Sequence, residues 1–186
     1  MRTPEARLYL GIDPSLRSTG LVIIGENSPR IRRITPTKLR GTERLQYHRD
    51  ALREILPGCV GACIEGPSYN SINRAHDIGR LHGVLLLELA DHQIPIHEVP
   101  PSNLKLFATG HGDSSKELVK ATANEQWNLQ LTCDDETDAL WLSYLAQKLD
   151  TTDFTGLKRY QLEVIHGIRN MNKLKDKPSN YRQFNV

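Results

Sequence analysis

The sequence predicts an α/β domain, a mixed five-stranded sheet flanked by helices on both faces. Three observations lead there. Apolar runs rich in Leu, Ile and Val follow one another near the start with no room for a helix between them, the pattern of an antiparallel meander. Further on, such runs alternate with amphipathic stretches, the pattern of parallel strands joined by helical crossovers. A chain of 186 residues is also long enough for one domain to bury most of the surface its unfolded form exposes.

In order, Leu8-Tyr9-Leu10-Gly11-Ile12-Asp13 reads as a buried strand and Pro14 to Ser18 as a turn. Leu21 to Ile24 is a second strand, and Arg30 to Thr35 a third at an edge. Thr42 to Leu56 is helical, with Leu45, Leu52, Ile55 and Leu56 at helix-like spacing and Pro57-Gly58 as the stop. Val60 to Glu65 returns to strand, ended by Gly66-Pro67. Asn73 to Asp91 is a long helix with Ile78, Leu81, Leu85 and Leu89 on one side. Ile94 to Val99 is the last strand, and Pro100-Pro101 opens a short helix. Ser114 or Ser115 caps a helix running to about Trp127, and Thr132 to Leu149 is the last helix of the body, with Thr132 or Asp134 as its cap. Polar residues from Asp150 to Thr155 mark a boundary. Residues 1–150 are expected to form the main domain, and 151–186 a basic C-terminal extension. Within it Leu157 to Ile168 forms one more element, and the last dozen or so residues are flexible.

Composition excludes several classes of function. The longest apolar run, Val84-Leu85-Leu86-Leu87, breaks at Glu88 and is too short to span a bilayer. The start has no basic-then-apolar leader, and Cys59, Cys63 and Cys133 lack paired metal-ligand spacing, so an intracellular, cytoplasmic protein with free thiols and no zinc is expected. The net charge of +2 hides an asymmetry: from Thr151 onward seven Lys and Arg face three acids, leaving the rest at −2. A basic tail suits phosphate attraction as well as plain solvation.

The acids carry more. Asp13 closes an apolar strand, so its backbone is buried while its carboxylate stands at the rim, where ionisation is costly without a cation or a donor. Asp is also a common turn starter. Glu65 repeats the situation, and adjacent parallel strands would end at one edge. Asp134-Asp135-Glu136-Thr137-Asp138 then opens an apolar helix. Favourable interaction with the helix dipole accounts for its first acids but poorly for Asp138, a full turn in. Asp135 and Asp138 share a face, and so do Asp134 and Asp138, so spacing leaves the partner open. Clustered carboxylates suit hard cations such as Mg²⁺ or Mn²⁺, and two such ions can activate water and stabilise a leaving oxygen at a phosphodiester.

With these residues in hand, Gly11-Ile12-Asp13-Pro14-Ser15-Leu16-Arg17-Ser18-Thr19-Gly20 resembles the opening strand-turn-strand motif of the RuvC-type Holliday junction resolvases. Ile64-Glu65 resembles their second motif, and Asp135-Glu136-Thr137-Asp138-Ala139-Leu140 their closing one. Leu104-Lys105 and Gly110-His111-Gly112-Asp113-Ser114-Ser115-Lys116 resemble their basic segment. The resemblance covers roughly residues 7 to 149. It implies an RNase H-like fold and a homodimer that nicks four-way DNA symmetrically, leaving 5′-phosphates. It also implies dependence on Mg²⁺, with Mn²⁺ as substitute and two ions per active site. Carried over by position, the catalytic and metal-binding acids are Asp13, Glu65, Asp135 and Asp138, which selects Asp135 over Asp134. The tail after residue 150, and Gly66-Pro67-Ser68-Tyr69 where the family has an aromatic at the junction centre, resemble phage-encoded members.

Within that register Lys105 and Lys116 are expected to contact phosphate, Lys116 at a helix N-terminus that already favours anions. Tyr69 is expected to stack on unpaired bases. Arg74, with Arg80, His76 and His82, belongs to a helix face that is equally suited to lining the DNA path and to solvent. Phe107, Trp127 and Trp141 read as core. No glycine loop of the nucleotide-binding kind occurs, and the chain has room for one domain, whereas the actin–sugar kinase architecture that shares the opening motif needs two. A non-catalytic junction-binding module and a less selective flap or fork nuclease are the remaining alternatives.

Overall fold

The computed structural model describes residues 7–26, 28–67 and 75–175. One sheet runs in the order β3-β2-β1-β4-β5, formed by β1 (Leu8–Asp13), β2 (Thr19–Ile24), β3 (Arg30–Ile34), β4 (Cys59–Glu65) and β5 (Ile96–Val99). The first three strands pair antiparallel as a meander, whereas β4 pairs parallel to β1 and β5 parallel to β4. The helices are α1 (Gly41–Arg53), α2 (Ala75–Asp91), α3 (Pro101–Thr109), α4 (Lys116–Trp127), α5 (Asp134–Leu149) and α6 (Arg159–Lys175). This is the mixed five-stranded sheet that the sequence predicts.

The pleat assigns each strand residue to a layer. Leu10, Ile12, Leu21, Ala62 and Ile64 face α1 and α2, packing on Leu52, Leu81, Leu85 and Leu89. Tyr9, Val22 and Cys63 face the other helices, in one core with Phe107, Val119, Leu140, Trp141 and Ile165. Helix α5 lies over the middle of the sheet, which is why Ala139 to Ser143 are buried all round. Trp141 is held there by its indole N–H, donated to the Val119 carbonyl at 3.2 Å, and by edge-to-face contacts with Trp127 and Phe107.

Helix ends differ in detail from the sequence expectation. Helix α1 stops at Arg53, because the amides of Ile55 and Leu56 reach carbonyls only three residues back, at 3.0 and 3.4 Å, and the last turn tightens. Ser115, not Ser114, caps α4 by accepting the Leu118 N–H at 3.3 Å. Cys133 occupies the N-cap of α5 with no side-chain capping bond, so neither Thr132 nor Asp134 caps it. The expected start of α2 at Asn73 lies outside the described residues, as do residues 176–186 at the end of the chain.

Helix α6 is docked on the body. Val164, Ile165 and Ile168 enter the shared core, and Gln161 donates its amide to the Phe107 carbonyl at 3.2 Å. Arg169, part of the basic surplus of the tail, donates to the carbonyls of Leu149 and Thr151 at 2.9 and 2.6 Å and so closes the C-terminus of α5.

Candidate active site

The parallel register sets Gly11 beside Cys63 and Ile12 beside Ile64, and one step further places Asp13 beside Glu65 at the carboxyl edge of the sheet. By pleat parity both carboxyl groups stand on the α5 side. Asp13 is only 8% exposed, and its side chain shares a hydrogen bond with Glu65. Two glycines let α5 approach this rim. A Cβ on Gly11 would lie 1.9 Å from the Ala139 carbonyl oxygen, and one on Gly20 would lie 2.0 Å from that of Asp135. Any larger residue would lift the helix. Its first turn and a half carries Asp135 and Asp138, so these bare backbone positions set the depth at which those acids reach the sheet edge.

The electrostatics follow from burial. Asp13 is pushed well above the usual carboxylate range, first by desolvation, then by the charge of Glu65 and the hydrogen bond with it, and by Asp138 and Asp135. Glu65 is raised by burial, while its bond with Asp13 and the charges of Lys116 and Lys105 work the other way. Asp138 is pushed up to about 7 by burial and by Glu65, against the pull of Lys116. Among the described residues no three His, Cys, Asp or Glu side chains are drawn together tightly enough to ligate one ion. Asp13, Glu65 and Asp138 nonetheless shift upward together, with Asp135 among the charges that act on them, and strongly perturbed carboxylates of this kind cluster at functional sites.

Asp134 and Asp135 part company. Asp134 turns towards α4, 2.7 Å from Lys120 and 3.4 Å from Lys116, and its carboxyl is held below the usual range, chiefly by the bond to Lys120. Asp135 instead acts on Asp13, Glu65 and Asp138. The expected lysines flank the rim from the α3–α4 side: Lys105 is half-buried on α3, and Lys116 is the first residue of α4. Tyr69 and Arg74 lie outside the described residues.

Two histidines are placed differently from, or beyond, the sequence expectation. His82 is buried rather than part of an open helix face, and its Nε2–H donates to the Glu65 carbonyl at 3.2 Å, steadying the backbone of that residue. His76 and Arg80 of the same helix are exposed. His48 is fully buried, pushed down to about 4 by burial and by Arg44, and therefore neutral at physiological pH. Its Nδ1 lies 3.3 Å from the Thr19 hydroxyl, which donates to the Ser15 carbonyl at 2.8 Å, so α1 is tied to the turn that follows Asp13. The available signal was its spacing: three residues after Leu45 and four before Leu52, on the apolar stripe of α1.

Residues 9–144 match the model of the family described as crossover junction endodeoxyribonuclease RuvC. The chain belongs to the RuvC family. A RuvC of Bordetella petrii is 32% identical over 142 residues, 70% of this chain and 78% of the relative. One of Thermotoga petrophila is 28% identical over 146 residues, 73% of this chain and 88% of the relative. The RuvC structure of Thermus thermophilus superposes with a TM-score of 0.63 at 21% identity, covering 73% of this chain and 90% of that one. The structure described as T. thermophilus RuvC in complex with Holliday junction substrate gives 0.65 at 18%, covering 89% and 96%. The RNase H-like fold of the RuvC enzymes is thus this chain's fold, and the family is one of metal-dependent nucleases. No helix among the described residues is long and apolar enough to cross a membrane.

Proposed function

We propose that this RuvC-family chain resolves four-way DNA junctions by metal-dependent hydrolysis, with Asp13, Glu65, Asp135 and Asp138 as the catalytic, cation-holding groups. The observation that carries the reading is the hydrogen-bonded pair of buried Asp13 and half-buried Glu65 at the end of two adjacent parallel strands, with Asp138 raised beside it. An all-oxygen donor set in which Asp13, Glu65 and Asp138 resist ionising together fits Mg²⁺, or Mn²⁺ in its place, and two ions suit four carboxylates. Such cations would supply Lewis-acid stabilisation of the phosphodiester and a water acidic enough to attack it.

The rest is the work of the chain. Asp13 lies on the central strand between Glu65 and the α5 acids, so it is the carboxylate placed to meet both halves of the donor set. Asp138 and Asp135 reach it from α5, and the His82 bond steadies Glu65. Lys105 and Lys116 hold positive charge beside Glu65, where a strained phosphate gains charge in the transition state. Tyr69 and Arg74 complete the proposed DNA contacts. No side chain needs to act as a covalent nucleophile, and the cut leaves a 5′-phosphate and a 3′-hydroxyl that a ligase reseals. Symmetric nicking of a four-way junction requires two such sites, hence a homodimer acting on DNA in the cytoplasm, the host's where the chain is phage-encoded. Residues 1–150 form the resolvase domain in this reading, and 151–186 its basic extension.

Purified protein incubated with a synthetic four-way junction and the matching linear duplex tests this. Paired nicks in the junction alone, lost in EDTA, are the expected result. Equal cutting of flaps, forks and duplex moves the function to general branched-DNA processing, and junction binding with no cleavage under Mg²⁺ or Mn²⁺ overturns the enzyme.

A pH titration tests the electrostatics separately. Asp138 has an ordinary value of 3.8 and about 7 in the fold, so at low pH it is protonated in both folded and unfolded chains. As pH rises through the interval the unfolded chain releases its proton first, and the stability this group contributes is progressively lost, fully so above about 7. Comparison with Asp138→Asn cancels the opposite pull of buried His48, so in EDTA the melting temperature of the wild type relative to that variant is expected to be lower at pH 8 than at pH 5.5. Millimolar Mg²⁺ should restore more of it at pH 8 than at pH 5.5, because only ionised carboxylates bind the cation.

A further inference from the structure

We infer that Arg17, Arg33, Lys38 and Arg40 form a second phosphate-binding flank, on the side of the carboxylate rim opposite Lys105 and Lys116, that holds the DNA strand as it leaves the site. The inference rests on the proposed junction-cutting function and extends its DNA surface to a part of the fold that none of the site residues above occupies.

The first support is topological. Strand β3 is antiparallel to β2 and so runs with β1, which brings its C-terminal end out at the edge that carries Asp13. Arg33 pairs with Gly20, and Gly20 on its other side pairs with Asp13. Along this edge the order is Arg33, Gly20, Asp13, Glu65, and Arg33 sits about 10 Å from Asp13, two strand spacings away. Pleat parity puts it with Ile31 on the α5 side, where its guanidinium lies 3.8 Å from Glu136 and within electrostatic reach of Asp135. Arg17 stands exposed on the turn that follows Asp13, and Lys38 and Arg40 stand exposed on the segment that leads from β3 into α1, at the same end of the sheet.

The second support is charge. From residue 27 to residue 42 the chain has five Lys and Arg and no acid. Guarding the free edge of β3 against pairing with another sheet accounts for arginines on the strand itself. It does not account for Lys38 and Arg40, which come after it. Lys38 has φ 66, in the left-handed region where glycine is the less costly residue. The lysine there presents an exposed side chain. A run of exposed cations bordering a nuclease rim fits a chain of phosphates, and with Lys105 and Lys116 on the far side the carboxylates lie between two cationic rails.

The test is junction affinity as a function of salt, measured with full-length protein and a synthetic four-way junction in EDTA, so that nothing is cut. Arg33→Gln with Arg40→Gln is compared with a charge-matched pair, Arg30→Gln with Arg32→Gln, which face the α1 side of β3. The first pair is expected to weaken binding and to make the slope of log K against log salt shallower by about 1.8, or 0.9 for each lost phosphate contact. The second pair is expected to leave the slope at its wild-type value. Lys38→Gly is expected to raise the melting temperature and yet make the slope shallower by about 0.9, a combination that loss of fold cannot produce. A wild-type slope in Arg33→Gln/Arg40→Gln, or an equal loss in both pairs, overturns the flank while junction binding by the wild type stands. Wild-type protein that ignores the junction overturns the proposed function, and the flank with it.

Discussion

Asp13→Asn is expected to abolish cleavage of a four-way junction while leaving a fold that, without divalent cations, is more stable than the wild type. The two effects have one cause. Asp13 is buried at the edge of the central strand beside Glu65, and its ionised form is opposed first by desolvation and then by three neighbouring carboxylates. Its folded-state pKa is raised, so the stability it contributes is present below the ordinary carboxylate range and lost as pH climbs through the folded value. At neutral pH the group therefore works against folding. Asparagine has the same shape, keeps an N–H to offer Glu65, and carries no charge to repel. For catalysis the same change removes the acid nearest both halves of the donor set. Loss of one electrostatic element of a preorganised site typically costs about 10²–10³ in rate, and at least that much is expected here. Single-turnover cleavage with saturating protein, run beside thermal melts with and without Mg²⁺, reads both. The variant should melt higher than wild type in EDTA and gain less from Mg²⁺. Wild-type cleavage by Asp13→Asn would remove Asp13 from the site.

How much of this could be read from the chain depends on whether the information is local. Asp13 and Glu65 are legible because each closes a run of residues that are buried on both faces of a strand, where a carboxylate has no routine reason to be. Asp138 is legible because it lies inside an apolar helix. The choice between Asp134 and Asp135 is not local. Both share a face with Asp138, and the decision comes from α4, whose Lys120 and Lys116 draw Asp134 away from the rim. The resemblance to the RuvC motifs selects the residue that the fold turns towards Asp13, but the physical reason lies across the molecule.

Other features are illegible for the same reason. His82 looks like one of several polar residues along α2, and only the parallel pairing of β4 brings the Glu65 carbonyl to its ring. The basic surplus after residue 150 suits phosphate attraction and plain solvation alike, yet Arg169 is spent on closing α5, and Val164, Ile165 and Ile168 join the core. The arginines of β3 look like edge protection until the sheet order places the end of β3 beside the strand pair that carries Asp13. In each case the residue type announces a capacity, and topology decides where it is used. The proposed nuclease site draws four acids from three separate elements, so their meeting point is a property of the sheet and of the depth at which α5 lies on it.

That depth is open to experiment. Gly20→Ala is expected to cost stability and to slow cleavage by about 10²-fold, although residue 20 has no functional group to lose. The added Cβ would sit 2.0 Å from the Asp135 carbonyl oxygen and 2.5 Å from its carbon, both backbone atoms of a helix packed against the rest of the core. No rotamer change relieves such a contact, so the first turn of α5 must rise by roughly an ångström, and overpacking of this kind costs about 1–3 kcal/mol. Asp135 and Asp138 ride on the displaced turn, and a misplacement of about 1 Å at reacting groups is enough to cost two orders of magnitude. Gly167→Ala on α6 supplies the contrast: its added methyl meets nothing within 4 Å, and alanine within a helix should stabilise by about 0.5–1 kcal/mol with unchanged cleavage. Melting curves and single-turnover rates for the two variants separate the effects. If Gly20→Ala is destabilised but cleaves at the wild-type rate below its melting temperature, the seating of α5 serves the fold alone. If the rate falls as expected while junction affinity in EDTA stays close to wild type, the loss lies in the placement of the α5 acids and not in DNA binding.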